Sequence, residues 1–304
     1  MKMNKKLKGS LVLLLATTIW GTAFVAQDIG MDAIGPFTFQ ASRCFLAILV
    51  MLPISLISDT RKKDGKTFTQ RWTDKTLWKA GLLCGIFLFI ACNLQQLGIA
   101  ADTGAGKSAF LTAMYIIFVP IIGLIRGKKM TWTIPVSVLT AVAGLYSLSC
   151  VGVSAIAAGD LMLLGCAAAY AVQITFVDMY VNDVDAVRLS MIQSLVCTVL
   201  SAIAMFALEK PTLSAIWDAI LPLAYAGCLS MGFSYTLQIV GQKDLEPSAA
   251  SLIMSLESVF AVLAGCIILH ERLSTWEILG CVLVFAAVII SQLPTKEKAK
   301  TRNA

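Results

Sequence analysis

Two charged residues lie inside long apolar stretches of the sequence, where a charge is unfavourable unless it has a partner or a function. Glu257 lies near the middle of its stretch, and its carboxyl group could bind a cationic substrate group or a coupling proton. It could equally be a structural carboxyl that is hydrogen-bonded through Ser255 or a tyrosine hydroxyl. Arg43 stays protonated and can form forked hydrogen bonds with a carboxylate. It therefore suits an anionic substrate group, or a structural pairing with Glu257 or a backbone carbonyl.

Aromatic and amide side chains occur in the neighbouring apolar stretches. Apolar walls with a few polar groups are typical of small-molecule pockets, although any one of these side chains also suits a hydrogen bond between two helices. Together with Arg43 and Glu257, the predicted substrate-binding residues are Trp20, Asn93, Gln96, Tyr115, Tyr170, Gln173 and Tyr235, and Gln238 is a further candidate.

The residue types that most enzymatic sites need are scarce in this sequence. His270 is the single histidine, which excludes a histidine-based triad or metal cluster. The nine cysteines form no Cys-x-x-Cys pair and lie in apolar stretches, where reduced thiols act as small hydrophobes. The segment 104–108 resembles a phosphate-binding loop but is too short. We therefore expect no catalytic residue, no metal and no cofactor.

The elements that must position these side chains are membrane-spanning helices. Of the 304 residues, 58% are hydrophobic and 14% are charged, whereas soluble domains carry about 25% charged residues. The charges gather between apolar stretches that approach the ~20 residues needed to cross about 30 Å of hydrocarbon. We predict an all-α integral membrane protein with ten transmembrane helices, at 7–27, 36–58, 77–99, 103–125, 131–150, 158–179, 187–208, 215–239, 247–269 and 275–293.

The basic residues predict the orientation of these helices. If the first helix begins in the cytoplasm, 19 of the 24 Lys and Arg residues fall on the inner side and two fall in outer loops. This asymmetry follows the positive-inside rule. It predicts a multi-pass protein of the cytoplasmic membrane with both termini in the cytoplasm. The net charge of +6 then reflects membrane orientation and does not indicate a nucleic-acid partner.

An internal repeat divides the sequence. The segment 94–98 aligns with 237–241 at an offset of 143, and Trp20 aligns with Tyr170 at an offset of 150. We predict two domains of five helices each, residues 1–150 and residues 151–304, the second with a short basic cytoplasmic tail. An odd number of helices makes the second copy enter the membrane from the opposite side, as in the inverted repeats of many transporters.

Several motifs resemble those of the EamA-type drug/metabolite transporter superfamily. They are Ile19-Trp20-Gly21-Thr22, Ala41-Ser42-Arg43-Cys44-Phe45, the segment that begins at Glu257 and continues as Ser-Val-Phe-Ala-Val-Leu-Ala-Gly, Ile268-Leu-His-Glu-Arg-Leu-Ser, and Leu279-Gly-Cys-Val-Leu-Val. The resemblance covers nearly the whole chain. It implies a ten-helix carrier of two inverted repeats, often an exporter of amino acids or related metabolites, and it does not specify a substrate.

The expected function is secondary transport of a small organic metabolite, with export of an amino acid or related compound by alternating access as the first hypothesis. Proton-coupled efflux of lipophilic cations or drugs is the alternative, with Glu257 as the coupling candidate. A membrane-embedded enzyme or a non-transporting scaffold is the alternative from another class. The expected partners are a small-molecule substrate and the lipid bilayer, and the protein is expected to act as a monomer or a homodimer.

Overall fold

The structure is a computed structural model and describes residues 4–61, 67–101, 105–149, 157–268 and 274–293. Several sequence predictions concern residues outside these ranges. They are the start of the segment 104–108, the single histidine His270, the domain boundary between 150 and 151, and the basic tail at 294–304.

Ten helical passes follow one another in the described ranges, and each coincides with a predicted span to within a few residues. They are α1 (Lys5–Met31), α2 (Pro36–Arg61), α3 (Lys75–Ala100), α4 (Ala105–Thr112 and Tyr115–Ile125), α5 (Thr133–Ser149), α6 (Ala158–Tyr180), α7 (Ala186–Leu208), α8 (Ile220–Gln242), α9 (Pro247–Met254 and Glu257–Ile268) and α10 (Thr275–Gln292). Short helices, Phe68–Trp72 and Leu213–Asp218, precede α3 and α8.

Large apolar side chains are exposed on the outer surface of the helices. In the described part of the chain, nine helical segments are long and apolar enough to cross a membrane, and α5 is a shorter apolar helix. Leu139 in α5 is 72% exposed and Phe206 in α7 is 74% exposed. Apolar side chains exposed over so much of the surface are unfavourable in water, but hydrocarbon solvates them. The chain is a multi-pass, all-α membrane protein.

The contacts between helices follow the repeat. Exchanging each helix of the first repeat with its equivalent in the second repeat gives the same main contacts. α3 packs against α6 and α7, and its counterpart α8 packs against α1 and α2. α4 packs against α6, and its counterpart α9 packs against α1. α2 pairs with its own counterpart α7, and α5 with α10. This exchange is what a two-fold axis between two oppositely inserted five-helix units produces. The prediction of two inverted five-helix repeats is confirmed.

Two equivalent passes are broken near their middles. Ala113 and Met114 interrupt α4, and Ser255 and Leu256 interrupt α9. The two halves of α9 begin at 247 and 257, each 142 residues after the corresponding half of α4 at 105 and 115. Discontinuous helices of this kind lie at the binding sites of many inverted-repeat carriers. The region between the two breaks is therefore a candidate binding site.

α5 and α10 form a tightly packed pair at the edge of the molecule. A Cβ atom added to Gly280 would lie 2.6 Å from the carbonyl oxygen of Gly144, and one added to Gly144 would lie 2.9 Å from the carbonyl oxygen of Gly280. Small residues at such crossings allow the close van der Waals packing that holds helices together in lipid.

The two repeats cap their second helix in different ways. α7 begins after Asp185, whose side chain accepts a hydrogen bond from the backbone N–H of Arg188. The equivalent residue before α2 is Gly35, which has no side chain to do so. Glu209, at the end of α7, caps α2 instead by accepting hydrogen bonds from the backbone N–H groups of Phe37 (2.9 Å) and Thr38 (2.8 Å).

Two charged residues near the starts of α4 and α6 form an ion pair. The Lys107 ammonium lies 2.6 Å from an Asp160 carboxylate oxygen, with side chains 16% and 6% exposed. The same carboxylate accepts a hydrogen bond from the backbone N–H of Ala157. The pair joins the start of α4 to the start of α6, so it links the two repeats.

Candidate functional site

A central cavity lies between the two helix breaks and contains about 490 Å³ of atom-free space. Seven passes line it: α1, α2, α3, α4, α6, α8 and α9. The lining residues are Trp20, Phe24, Gln27, Arg43, Gln95, Tyr115, Tyr170, Ile174, Ser230, Tyr235, Gln238, Met254 and Glu257. Six of the nine predicted site residues are therefore brought together in one cavity, as is the further candidate Gln238.

Four pairs of lining residues occupy equivalent places in the two repeats. The pairs are Trp20 with Tyr170, Phe24 with Ile174, Gln95 with Gln238, and Tyr115 with Glu257. Equivalent residues face each other across a two-fold axis only if the axis passes between them. The cavity therefore lies on the axis that relates the repeats.

The aromatic residues form a connected wall. The Trp20 and Tyr235 rings meet edge to face with centroids 5.0 Å apart, and the Tyr115 and Tyr170 centroids are 6.5 Å apart. The hydroxyl groups of Tyr170 and Tyr235 are hydrogen-bonded at 3.0 Å. The indole N–H of Trp20 donates to the backbone carbonyl oxygen of Ser230 at 3.2 Å. Each polar group of the wall thus has a partner, and the ring faces and edges are left for contact with a ligand.

The carbonyl that Trp20 contacts belongs to an unusual part of α8. Residues Tyr225–Ser234 are wound as a π-helix. Such widened turns often occur at functional sites. The segment also allows close packing against α2, because a Cβ atom added to Gly227 would lie 2.9 Å from the backbone oxygen of Arg43. The π-helix therefore fixes the position of both Trp20 and the helix that carries Arg43.

Glu257 begins the second half of α9 and is 6% exposed. One of its carboxylate oxygens accepts a hydrogen bond from the Tyr115 hydroxyl at 2.9 Å. Of the two hydrogen bonds considered from the sequence, the tyrosine bond is present, whereas the Ser255 hydroxyl donates to the Leu252 carbonyl. Glu257 forms no salt bridge with any basic side chain that the structure describes. A buried carboxyl group with one neutral donor can still accept a proton or a cation.

Arg43 is 2% exposed, and two neutral oxygens hold its guanidinium group. Its Nε donates to Gln40 Oε1 at 2.6 Å, and its Nη1 donates to Gln27 Oε1 at 2.5 Å. The pairing of Arg43 with Glu257 that the sequence allowed is not formed in the described part of the chain, and Arg43 meets no other carboxylate there. The cavity therefore contains a cationic group and an acidic group that do not neutralise each other.

Three predicted site residues do not line the cavity. Asn93 donates to the Ser201 hydroxyl at 2.9 Å and so bridges α3 and α7. Gln173 donates to the side-chain oxygen of Gln193 and accepts from Gln238, which makes it the middle of a chain of three amides. Gln96 is fully buried, and neither its nitrogen nor its oxygen has a hydrogen-bond partner among the residues that the structure describes.

Sequence reasoning missed Gln27, Gln95 and four less polar residues of the cavity. The repeat contained a signal for Gln95, because it aligns with Gln238 at the offset of 143. Gln27 lies seven residues after Trp20, and residues seven apart share one face of a helix. Phe24, Ile174, Ser230 and Met254 carried no comparable signal among so many similar residues.

The arrangement can bind a solute and orient it. It offers an apolar wall, a cation, an acidic group and amide groups. In the described ranges, no group of three or more His, Cys, Asp or Glu residues could hold a metal ion.

Comparison with known proteins agrees with this description. A model of the EamA-like transporter family matches residues 7–150 and again residues 157–293. An "Uncharacterized transporter" of Archaeoglobus fulgidus is 31% identical over 291 residues, which cover 95% of this chain and 87% of that protein. The "Uncharacterized transporter YoaV" of Bacillus subtilis is 23% identical over 294 residues, with coverage of 93% and 96%.

A solved structure shares the fold. A chain described as "Crystal structure of protein" superimposes with a TM-score of 0.72 and covers 94% of this chain and 96% of its own length, at 16% sequence identity. At that identity the likeness concerns the fold alone.

Proposed function

Because the chain belongs to the EamA-like transporter family, we propose that it exports an amino acid or a related compound across the cytoplasmic membrane by alternating access. The two relatives from Archaeoglobus fulgidus and Bacillus subtilis are named as transporters. The observation that carries the proposal is the central cavity with Arg43 and Glu257 in its lining and no salt bridge between them. In this proposal both termini lie in the cytoplasm, and the site binds no cofactor.

The two charged residues favour a zwitterionic ligand. An arginine matches a carboxylate with forked hydrogen bonds, and a carboxylate matches an ammonium group. A free amino acid carries both groups on neighbouring atoms. Trp20, Tyr170 and Tyr235 then provide apolar and aromatic surface for a side chain.

The position of the cavity favours alternating access. Because the site lies on the axis between the repeats, rocking of one repeat against the other opens it to either side of the membrane in turn. The helix breaks in α4 and α9 border the cavity, since Tyr115 and Glu257 are the first residues after the breaks. Bending at these points changes the cavity wall while the outer halves of the helices stay packed.

Glu257 is the proposed coupling residue. A carboxyl group away from water takes up a proton more readily than one in solution, so proton exchange at Glu257 can be linked to substrate exchange. Protein reconstituted in vesicles should take up substrate faster when a pH gradient is imposed. In Glu257→Gln, substrate movement down its own gradient should persist while the response to the pH gradient is lost. An unchanged response in this variant removes Glu257 from the coupling role.

Efflux of lipophilic cations is the second candidate. It is favoured by the five aromatic residues of the cavity together with Glu257, because cations bind to aromatic faces and to carboxylates. In this case the positive charge of Arg43 would repel the ligand.

One screen separates the two candidates. Purified protein is melted in detergent with each of the twenty amino acids and with quaternary ammonium dyes. We expect amino acids to raise the melting temperature. Stabilisation by the dyes alone would favour cation efflux, and stabilisation by neither group would contradict both assignments.

The proposed orientation is tested by labelling single engineered cysteines near each terminus in intact cells. We expect membrane-impermeant reagents to reach neither position until the membrane is opened. Labelling of one terminus alone would contradict an even number of passes, and labelling of both in intact cells would reverse the orientation.

A further inference from the structure

We propose that Gln27 and Gln40 are the residues that make the cavity selective for substrates with an anionic group, because they hold Arg43 without neutralising it. The inference deepens the proposed function and rests on it for the location of the site. It assigns a role to two residues that the sequence did not single out.

Two of the three guanidinium nitrogens of Arg43 donate to amide oxygens. Gln40 accepts from Nε at 2.6 Å and Gln27 accepts from Nη1 at 2.5 Å, while Nη2 has no hydrogen-bond partner among the described residues. Arg43 and Gln27 line the cavity, whereas Gln40 lies behind them. Phe39 packs against the guanidinium group, with its ring centroid 5.8 Å from Cζ. The two glutamines therefore fix the orientation of the guanidinium group and leave N–H groups for a ligand.

The orientation of both amides is fixed by other contacts. The Gln27 nitrogen donates to the carbonyl oxygen of Ala23 at 3.1 Å. The Gln40 nitrogen donates to the sulfur atoms of Cys44 (3.0 Å) and Cys197 (3.3 Å). With each nitrogen committed to an acceptor, each side-chain oxygen points at the arginine. Both glutamines are buried.

The second repeat shows that the fold needs no cation at this position. α2 and α7 begin at 36 and 186, which places Gln193 at the position equivalent to Arg43. Gln193 is also fully buried, and its oxygen accepts from another neutral side chain, Gln173, at 3.2 Å. A neutral amide thus fills the same place between packed helices. The positive charge of Arg43 has a use that packing does not explain.

Electrostatics explains why a positive charge is present at this position. A buried charge is strongly unfavourable unless an opposite charge is close to it, and the glutamine oxygens offer only partial charges. An anionic ligand group that reaches the guanidinium group supplies the missing charge inside a medium of low polarity, where the attraction is strong. Glutamate at either glutamine position would supply that charge permanently. The side-chain amides of Gln27 and Gln40 form a neutral cradle around Arg43. This cradle therefore keeps Arg43 available to bind an anionic ligand group.

The test uses three ligands that differ only in charged groups: leucine, 4-methylvalerate, which lacks the ammonium group, and leucinamide, which lacks the carboxylate. Apparent affinities are taken from ligand-dependent melting of the wild type, Gln27→Glu, Gln40→Glu and Gln27→Met. Gln27→Met is the matched control, because it keeps the size of the side chain and adds no charge.

We expect leucine and 4-methylvalerate to bind the wild type, and both glutamate variants to bind them about tenfold more weakly or worse, the loss expected when a charged hydrogen bond is removed. Leucinamide should bind the glutamate variants at least as well as it binds the wild type. Gln27→Met should bind all three ligands with the order of the wild type. A variant that has merely lost its structure would lose all three ligands alike.

The outcomes separate this inference from the proposed function. Binding of 4-methylvalerate without leucine would contradict the amino-acid proposal and support the anion-selective cradle. Binding of leucinamide in preference to both carboxylates in the wild type would overturn the cradle. Equal loss of the carboxylates in Gln27→Met and Gln27→Glu would also overturn it, because the added charge would then have no effect.

Discussion

A residue from the other repeat caps α2, and this leads to a prediction in which a second substitution restores the stability lost by the first. Glu209 accepts hydrogen bonds from two backbone N–H groups of α2, at 2.9 and 2.8 Å, and from the hydroxyl of Thr38 at 2.5 Å. Glu209→Ala removes all three hydrogen bonds and leaves the start of α2 uncapped. Loss of a cap costs about 0.5–2 kcal/mol, and loss of a negative charge at a helix start adds about 0.3–1 kcal/mol. Because Glu209 is only half-buried, we expect a total of about 1–3 kcal/mol.

The chain contains the means to restore the cap. Gly35 accepts the first backbone hydrogen bond of α2, from Phe39 at 2.9 Å, so it stands where a capping side chain belongs. Its equivalent in the second repeat is Asp185, which caps α7. In the Glu209→Ala background, Gly35→Asp should recover at least half of the lost stability. In the wild type the same substitution should destabilise, because a Cβ atom at Gly35 would press against the Glu209 carboxylate.

The assay uses the protein's own thiols. Of the cysteines that the structure describes, five are buried and three are partly exposed, so a thiol-reactive dye reports unfolding as the temperature rises. A shift of about 2–4 °C per kcal/mol is usual for domains of this size range. Glu209→Gln is the matched control and should lie between the wild type and Glu209→Ala, since it keeps an acceptor and loses the charge. A Gly35→Asp substitution whose effect has the same sign in both backgrounds would refute the reasoning.

Three further outcomes follow from the packing. Gly280→Ala should lower the melting temperature because its Cβ atom meets the backbone of α5, whereas Gly123→Ala, with no atom within 4 Å of its Cβ, should leave it unchanged or raise it. Lys107→Met should lower the melting temperature more in the wild type than in the Asp160→Asn background, measured by the same melts. In the wild type the substitution leaves the buried Asp160 carboxylate without its partner, whereas in Asp160→Asn there is no charge to leave. Tyr115→Phe should keep the fold and weaken amino-acid uptake into vesicles severalfold, because the acidic group of α9 loses its only hydrogen-bond donor among the described residues.

Sequence reasoning was most informative where a physical limit acts on whole segments. The thickness of the bilayer and the grouping of charges predicted all ten passes, including the start of α2 at Pro36 and of α9 at Pro247. The repeat placed Trp20 and Tyr170 as equivalent residues, and both line the cavity. Helices that are apolar on every side carry no periodic signal for the face that points inward. For that reason Gln96 was chosen from the sequence although its neighbour Gln95 lines the cavity.

The helix breaks were not predictable from residue types. Neither break contains glycine or proline, and Pro120 lies within the second half of α4 without ending it. They occur where α4 and α9 approach the axis between the repeats. Asn93 shows the same limit, since the sequence allowed a ligand contact or a helix bridge, and only the position of Ser201 on α7 shows the bridge.

A cavity on a two-fold axis has a consequence for what it can distinguish. If two identical five-helix chains built it, every group would occur twice, and a ligand could be held equally well in either of two directions. In this chain Arg43 is matched across the axis by a glutamine, and Glu257 by a tyrosine. Joining the two halves in one polypeptide has allowed them to diverge, so the cavity has a positive side and an acidic side. A solute with two unlike ends therefore has one preferred direction inside it.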